Sequence, residues 1–145
     1  MSCQDAMTAK LVTVPSHETL AHVLALMGRE GVDAVPVLGD RGELAGLFSY
    51  ASLFKNILPV AVTMTGGMAL DVRINAAPGL EMRMKKALAQ PVAQFMDPRP
   101  ATVLPQTPLW EGIQTMLQQQ GPVPVIDGAS GKVLGMMTMA AATAA

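Results

Sequence analysis

The chain has 145 residues, is 50% hydrophobic and only 14% charged, and carries a formal charge of −1. That length holds one compact unit or two small ones packed together, and the near-neutral balance leaves no electrostatic footprint for nucleic acid or anionic lipid. Typical chains are about 25% charged, so the few charges here imply apolar surface that is covered in an oligomer.

One cysteine, Cys3, excludes a disulfide framework and a cysteine metal site. The first ten residues lack the apolar core of a signal peptide. The most apolar run, Ile57 to Val72, is broken by Pro59 and Gly66-Gly67 and is too short to span a bilayer. These features predict a soluble cytoplasmic protein.

In chain order, Leu11 to Val14 predicts a short strand, followed by an amphipathic helix. Ser16 suits its N-cap, and Leu20, Val23, Leu24 and Met27 recur at i, i+3, i+4, i+7. Two apolar runs, Val35 to Leu38 and Leu44 to Phe48, flank the turn Gly39-Asp40-Arg41-Gly42 and read as a β-hairpin. Ser49 closes the hairpin and a helix starts at Tyr50. Asn56 to Ala77 reads as a loop or short extended excursion. From Pro78 a helix is predicted with Leu80, Met84, Ala87 and Leu88 on one face, and Pro91 begins a short helical turn through Phe95.

The order then repeats. Ala101 to Leu104 is a strand, Thr107 caps a helix with Pro108 at its first position, and Leu109, Ile113, Met116 and Leu117 form its stripe. A second hairpin runs from Val123 to Thr138, and a helix starts at Met139. The pairs Met7 and Met96, Thr13 and Thr102, Gly46 and Gly135, Ser49 and Thr138 each lie 89 residues apart, slipping to 88 only at Pro36 and Pro124. This is an internal repeat. The predicted fold is α+β: two pseudo-symmetric β-α-β-β-α motifs, residues 1–55 and 91–145, packed through their sheets around an insertion at 56–90. Neither motif can bury its sheet face alone.

Asp5-Ala6-Met7-Thr8, Val35-Pro36-Val37 and Gly46-Leu47-Phe48-Ser49, with Phe95-Met96-Asp97, Val123-Pro124-Val125 and Gly135-Met136-Met137-Thr138, resemble the cystathionine-β-synthase (CBS) domain family in its tandem form, the Bateman module. The resemblance implies a regulatory module that binds an adenosine-containing ligand (AMP, ADP, ATP or S-adenosylmethionine) in two clefts between the halves, and a homodimer. No other cofactor is expected. The family's adenine rests against the first strand and the hairpin, which points to Thr13, Val35 and Pro36, and to Thr102, Val123 and Pro124. Its closing Gly-x-x-Ser/Thr-x-x-Asp places Ser49 and Thr138 near a phosphate and uses the Asp for the ribose hydroxyls. That Asp is missing twice: Ser52 and Ala141 occupy its positions. Ser52 could make one neutral hydrogen bond and Ala141 none, which weakens the Ala141 side more. Lys10 and Arg99, also 89 apart, put one cation before each first strand, where it could meet a phosphate or remain a solvated charge.

Other signals carry less. His17 and His22 do not share a helix face, and Asp40 and Glu43 belong to an exposed turn. Arg83, Lys85 and Lys86 read as a solvated helix face, Trp110 as an interface anchor. There is no phosphate-binding glycine loop, nucleophile elbow or other catalytic constellation. The expected activity is therefore ligand sensing without catalysis; the alternative is a dimerisation or protein-interaction module whose clefts bind no nucleotide.

Overall fold

The two Pro-Val runs fold as hairpins because their valines alternate with residues that face the opposite side. In the computed structural model, which describes residues 1–8, 10–58 and 70–145 (70–78 by backbone path only), β2 (Ala34–Leu38) pairs antiparallel with β3 (Leu44–Ser49). Its counterpart β4 (Val123–Ile126) pairs with β5 (Val133–Met137). Both hairpins carry a register shift at the equivalent place, Val37/Leu38 and Val125/Ile126. Both also turn through a left-handed glycine, Gly42 at φ 79° and Gly131 at φ 73°. The expected repeat thus holds down to backbone irregularities.

Val35, Val37 and Phe48 are buried with Val14, Leu20, Val23, Met27 and Leu53 in one core, and Val123, Val125 and Met137 with Val103 and Met116 in another. On the other side of the sheets Ala34, Leu47 and Met136 form a small third cluster that joins the halves. The helix α2 (Leu20–Glu30) covers the first core and α5 (Leu109–Gln119) the second. The hairpins are followed by α3 (Tyr50–Ile57) and α6 (Met139–Ala144).

Each core borrows its N-terminal piece from the other half. The short helix α1 (Cys3–Ala6) joins the second core through Cys3 and Ala6, while the 3-10 turn Val92–Gln94 sends Val92 into the first, as does Phe95. The crossing is tied by backbone bonds to the partner hairpin: Asp97 N to Leu47 O and Leu47 N to Asp97 O, both 2.9 Å, and Thr8 N to Met136 O, also 2.9 Å. The motif glycines make this possible. A Cβ on Gly46 would lie 2.6 Å from the Asp97 carbonyl oxygen, and one on Gly135 3.1 Å from that of Thr8.

Several expectations are corrected. Thr19, not Ser16, caps α2, accepting from His22 N at 3.4 Å, and the Leu20 and Ala21 amides bond to Gln90 O and Leu88 O. Thr107 does not cap α5 through its side chain: its hydroxyl accepts the Leu104 amide at 3.0 Å, Pro108 holds the cap position, and Leu109 N bonds to Met1 O. The first strand is only β1 (Val14–Pro15), parallel to β2. In the second half it shrinks to one bridge, Val103 to Val125, since Thr107 takes the next amide. Leu117, expected in the core stripe, is 64% exposed, turned outward with Trp110. Finally, α4 runs Leu70–Ala87, so Asn56 lies in α3 and 70–77 are helical, not loop. The rest of that expected loop, 59–69, lies outside the described residues. Met84, Leu80 and Ala87 pack on the first core as expected.

Candidate functional site

Two related clefts open where the halves meet. The first, about 590 Å³, lies at the β3–α3 junction, with Ser49, Tyr50, Ser52, Lys55 and Asn56 on one side and Met96, Asp97, Gln119 and Gln120 on the other. The second, about 550 Å³, lies at the β5–α6 junction between Thr138, Met139 and Ala140 and the residues Thr8, Lys10 and Val12. Asp33, Ala34, Gly121 and Pro122 form a wall common to both.

The hairpin ends position the hydroxyls. Ser49 Oγ accepts from Ser52 N at 3.1 Å and Thr138 Oγ1 from Ala141 N at 3.0 Å, so each caps the helix that follows. A hydroxyl used as acceptor keeps its O–H to donate. Ser52 is different. Its hydroxyl donates to Ser49 O and accepts from Ser49 N, both at 2.9 Å, and the residue is 7% exposed. The site therefore spends Ser52 on its own frame, leaving little for a ligand.

The clefts differ in chemistry. The first combines the Ser49 hydroxyl, the Asp33 and Asp97 carboxylates, the Lys55 ammonium and the amides of Asn56, Gln119 and Gln120. Asp97 is anchored from one side, its Oδ1 accepting from Arg99 N at 3.0 Å. The second is more apolar, through Val12, Val32, Met136 and Met139. Its cation, Lys10, is already paired with Glu30, whose carboxyl the Lys10 contact holds below its usual range.

Gln120 stands out in the backbone. It ends α5 at φ 61°, ψ 39°, the left-handed conformation that Gly31 adopts at the equivalent end of α2 at φ 68°, ψ 36°. Among the described residues it is the sole non-glycine with positive φ. Such a position costs free energy for a residue with a Cβ, and strain of this kind concentrates where a side chain has a task.

Of the residues singled out in the sequence, Lys10, Ser49, Ser52 and Thr138 line a cleft, whereas Thr13, Val35, Pro36, Arg99, Thr102, Val123 and Pro124 line neither. Val35 and Val123 are fully buried because strand alternation points them into the cores. Pro36 and Pro124 are buried opposite Leu47 and Met136 on the neighbouring strands. Arg99 is exposed beyond the first cleft, so the Lys10–Arg99 symmetry of the sequence does not become symmetry of charge in the two sites. Sequence reasoning missed Asp33, Lys55, Asp97 and Gln120. Two of them left a trace there, Asp97 within the Phe95-Met96-Asp97 motif and Gln120 as a glutamine 89 positions after Gly31. Among the described residues no group of three or more His, Cys, Asp or Glu side chains is placed to hold a metal ion.

The model of the CBS-domain family matches residues 3–59 and 92–143. Among solved structures, the CBS-pair protein CBSX2 from Arabidopsis thaliana is similar at 23% identity and a TM-score of 0.75, over 99% of this chain and 92% of that one. The same protein in complex with AMP gives a TM-score of 0.72, again at 23% identity, over 99% and 93% of the two chains. The CBS-domain pair of protein MJ0100, solved with 5′-methylthioadenosine and S-adenosyl-L-methionine, gives 0.69 at 12% identity, over 99% and 98%. These likenesses speak for the fold. A search of curated protein sequences finds no significant match.

Proposed function

Because the chain belongs to the CBS-domain family, we propose that it is a regulatory module that acts by binding an adenosine-type ligand, and that the cleft at Ser49 is the principal site. CBS pairs generally regulate and do not catalyse, and the relatives solved with ligands hold AMP, 5′-methylthioadenosine or S-adenosylmethionine. The observation that carries the reading is the set of polar residues in the otherwise largely apolar lining of the first cleft. A donor hydroxyl at Ser49, a cation at Lys55 and carboxylates at Asp33 and Asp97 meet in a space of about 590 Å³, the size of a small-ligand site.

In this reading Ser49 donates to a phosphate and Lys55 supplies the charge that Arg99 was expected to supply. The carboxamide of Gln120, with Asp97 or Asp33, takes the ribose hydroxyls in place of the absent Asp at position 52. The second cleft, with Ala141 at that position and methionines in its wall, binds more weakly. A ligand bridging the halves biases their relative packing, and a partner reads the bias.

A homodimer fits the same picture. Trp110 and Leu117, seven residues apart on α5, are 65% and 64% exposed, a spacing that puts both on one helix face. No described helix is long and apolar enough to cross a membrane. The second reading, an interaction module with unfilled clefts, draws on Ala141 and on the internal use of Ser52.

Thermal unfolding with AMP, ADP, ATP and S-adenosylmethionine decides between the two. A ligand that binds only the folded chain, present at a hundred times its Kd, stabilises it by about 2.7 kcal/mol, which is several degrees for a chain of this size. No shift with any of the four at millimolar concentration would leave the interaction module standing alone.

A further inference from the structure

A groove of about 400 Å³ lies beside the first cleft, bounded by Asn56, Ile57, Arg83, Lys86, Gln90 and Phe95. Asn56 belongs to both linings, so the two spaces adjoin at that residue, whose side-chain amide donates to Ser52 O at 2.7 Å. The groove owes one wall to α4, the helix of the insertion. Arg83 and Lys86 are three residues apart and so share a face of that helix. No acidic side chain is among the described residues lining the groove. One guanidinium nitrogen of Arg83 donates to the Ile57 carbonyl at 3.4 Å, which sets the side chain across the end of α3. The other guanidinium N–H groups remain as donors.

We propose that this groove is a subsite for a phosphate chain. A nucleoside polyphosphate seated by its sugar in the Ser49 cleft runs past Lys55 and Asn56 to Arg83 and Lys86. The inference rests on the nucleotide reading above and narrows it. Ser49 caps α3 and Asn56 lies seven residues along it, about 10 Å at ~1.5 Å per residue. A single phosphate beside the Ser49 hydroxyl therefore stops short of the groove, whereas the two further phosphates of a triphosphate cover part of that distance and the long side chains of Arg83 and Lys86 are left to bridge the rest. Planar guanidinium and compact ammonium together suit a run of phosphate oxygens.

The experiment is calorimetric titration of the full chain with AMP and with ATP, free of divalent cations and at constant ionic strength. ATP is expected to bind the wild type about tenfold more tightly than AMP, the effect of one or two charge-assisted contacts. Lys86→Ala should weaken ATP about three- to fivefold, as an exposed ion pair does, and leave AMP unchanged. Arg83→Gln should act the same way while keeping a donor for the Ile57 carbonyl. Lys85→Ala removes a charge from the same helix outside the groove and should change neither ligand. If AMP binds but ATP binds no tighter, the subsite is refuted while the nucleotide reading stands. If Lys85→Ala weakens ATP as much as Lys86→Ala, the effect is general charge attraction and the subsite is refuted. If neither nucleotide binds, the nucleotide reading falls and takes the subsite with it.

Discussion

Replacing Gln120 by glycine separates what that residue does for folding from what it does for binding. Its backbone at φ 61°, ψ 39° matches that of Gly31 at φ 68°, ψ 36°. A left-handed residue with a Cβ pays about 1–2 kcal/mol, which Gln120→Gly recovers. The glycine also loosens the unfolded chain, which returns about 0.4–1 kcal/mol. The net expectation is a gain of about 0.5–1 kcal/mol, or about 2–3 °C in Tm at the size scaling of such chains. The same change deletes a carboxamide from the first cleft, and losing one hydrogen bond at about 0.5–1.5 kcal/mol weakens an adenosine ligand about three- to tenfold. Urea unfolding followed by circular dichroism reads the first effect, calorimetric titration the second. The reciprocal change, Gly31→Gln, has open space for its Cβ, so it should cost about 1–2 kcal/mol from backbone strain alone. If Gln120→Gly stabilises the chain and binds ligand undiminished, Gln120 is not retained for recognition. If it destabilises, the strain argument itself is wrong.

Three further outcomes follow from the same geometry. Gly46→Ala should cost about 1–3 kcal/mol as an overpacked site, and more than Gly135→Ala. At both sites the methyl meets a flexible methionine sulfur, Met96 at 2.5 Å and Met7 at 2.7 Å, but the rigid backbone carbonyl lies at 2.6 Å from it at Gly46 and at 3.1 Å at Gly135; equal urea midpoints would contradict the crossing argument. Ser49→Ala should cost about 1 kcal/mol through the lost cap on α3, with Ser49→Thr recovering most of it in the same urea assay. Acid should destabilise the fold. Ser2 holds the Asp5 carboxyl below its usual range, as His22 does for Glu18, Lys10 for Glu30 and Ser130 for Asp127. Their contribution is present above the ordinary carboxylate range near pH 4 and is lost as pH falls through the lower folded values. A urea midpoint that is flat from neutral pH to about 5 and declines below about 4 fits this sign, and a midpoint that rises on acidification does not.

The repeat, both hairpins and most of the helix stripes were legible because they are written in local patterns: Val35 and Val37 alternate, Leu20, Val23 and Met27 recur at helical spacing, and Gly42 and Gly131 punctuate the turns. The helix starts were not legible. Leu20 N bonds to Gln90 O and Leu109 N to Met1 O, and a distant backbone carbonyl that satisfies a helix's first amides has no side-chain signature. The serine and threonine that looked like caps upstream were free to do other work, as Thr107 does for Leu104. The candidate site divided along the same line. Ser49 and Thr138 could be found from the hairpin motif, since their place at a strand end is local. Asp33, Lys55, Asp97 and Gln120 come together only when the halves pack. The paired cations illustrate the limit best. The sequence relation of Lys10 and Arg99 is real, yet Lys10 is held by Glu30 and Arg99 lies outside the cleft wall.

The exchanged N-terminal pieces also say how a ligand would be felt. Asp97, in the wall of the first cleft, is the residue whose backbone pairs with Leu47 in the opposite half. Ser49, on the facing wall, lies two residues further along that same strand. A molecule that touches both therefore spans the crossing itself, with no need for a relay through the cores. The wall of Asp33, Ala34, Gly121 and Pro122 serves both clefts, so in the proposed reading a ligand that moved it in one cleft would change the shape of the other. Linkage then requires the two occupancies to influence each other equally in free energy. A pair of motifs that merely abutted would give two independent sites. Interlocked as these are, through Gly46 and Gly135, the halves share backbone bonds and a cleft wall.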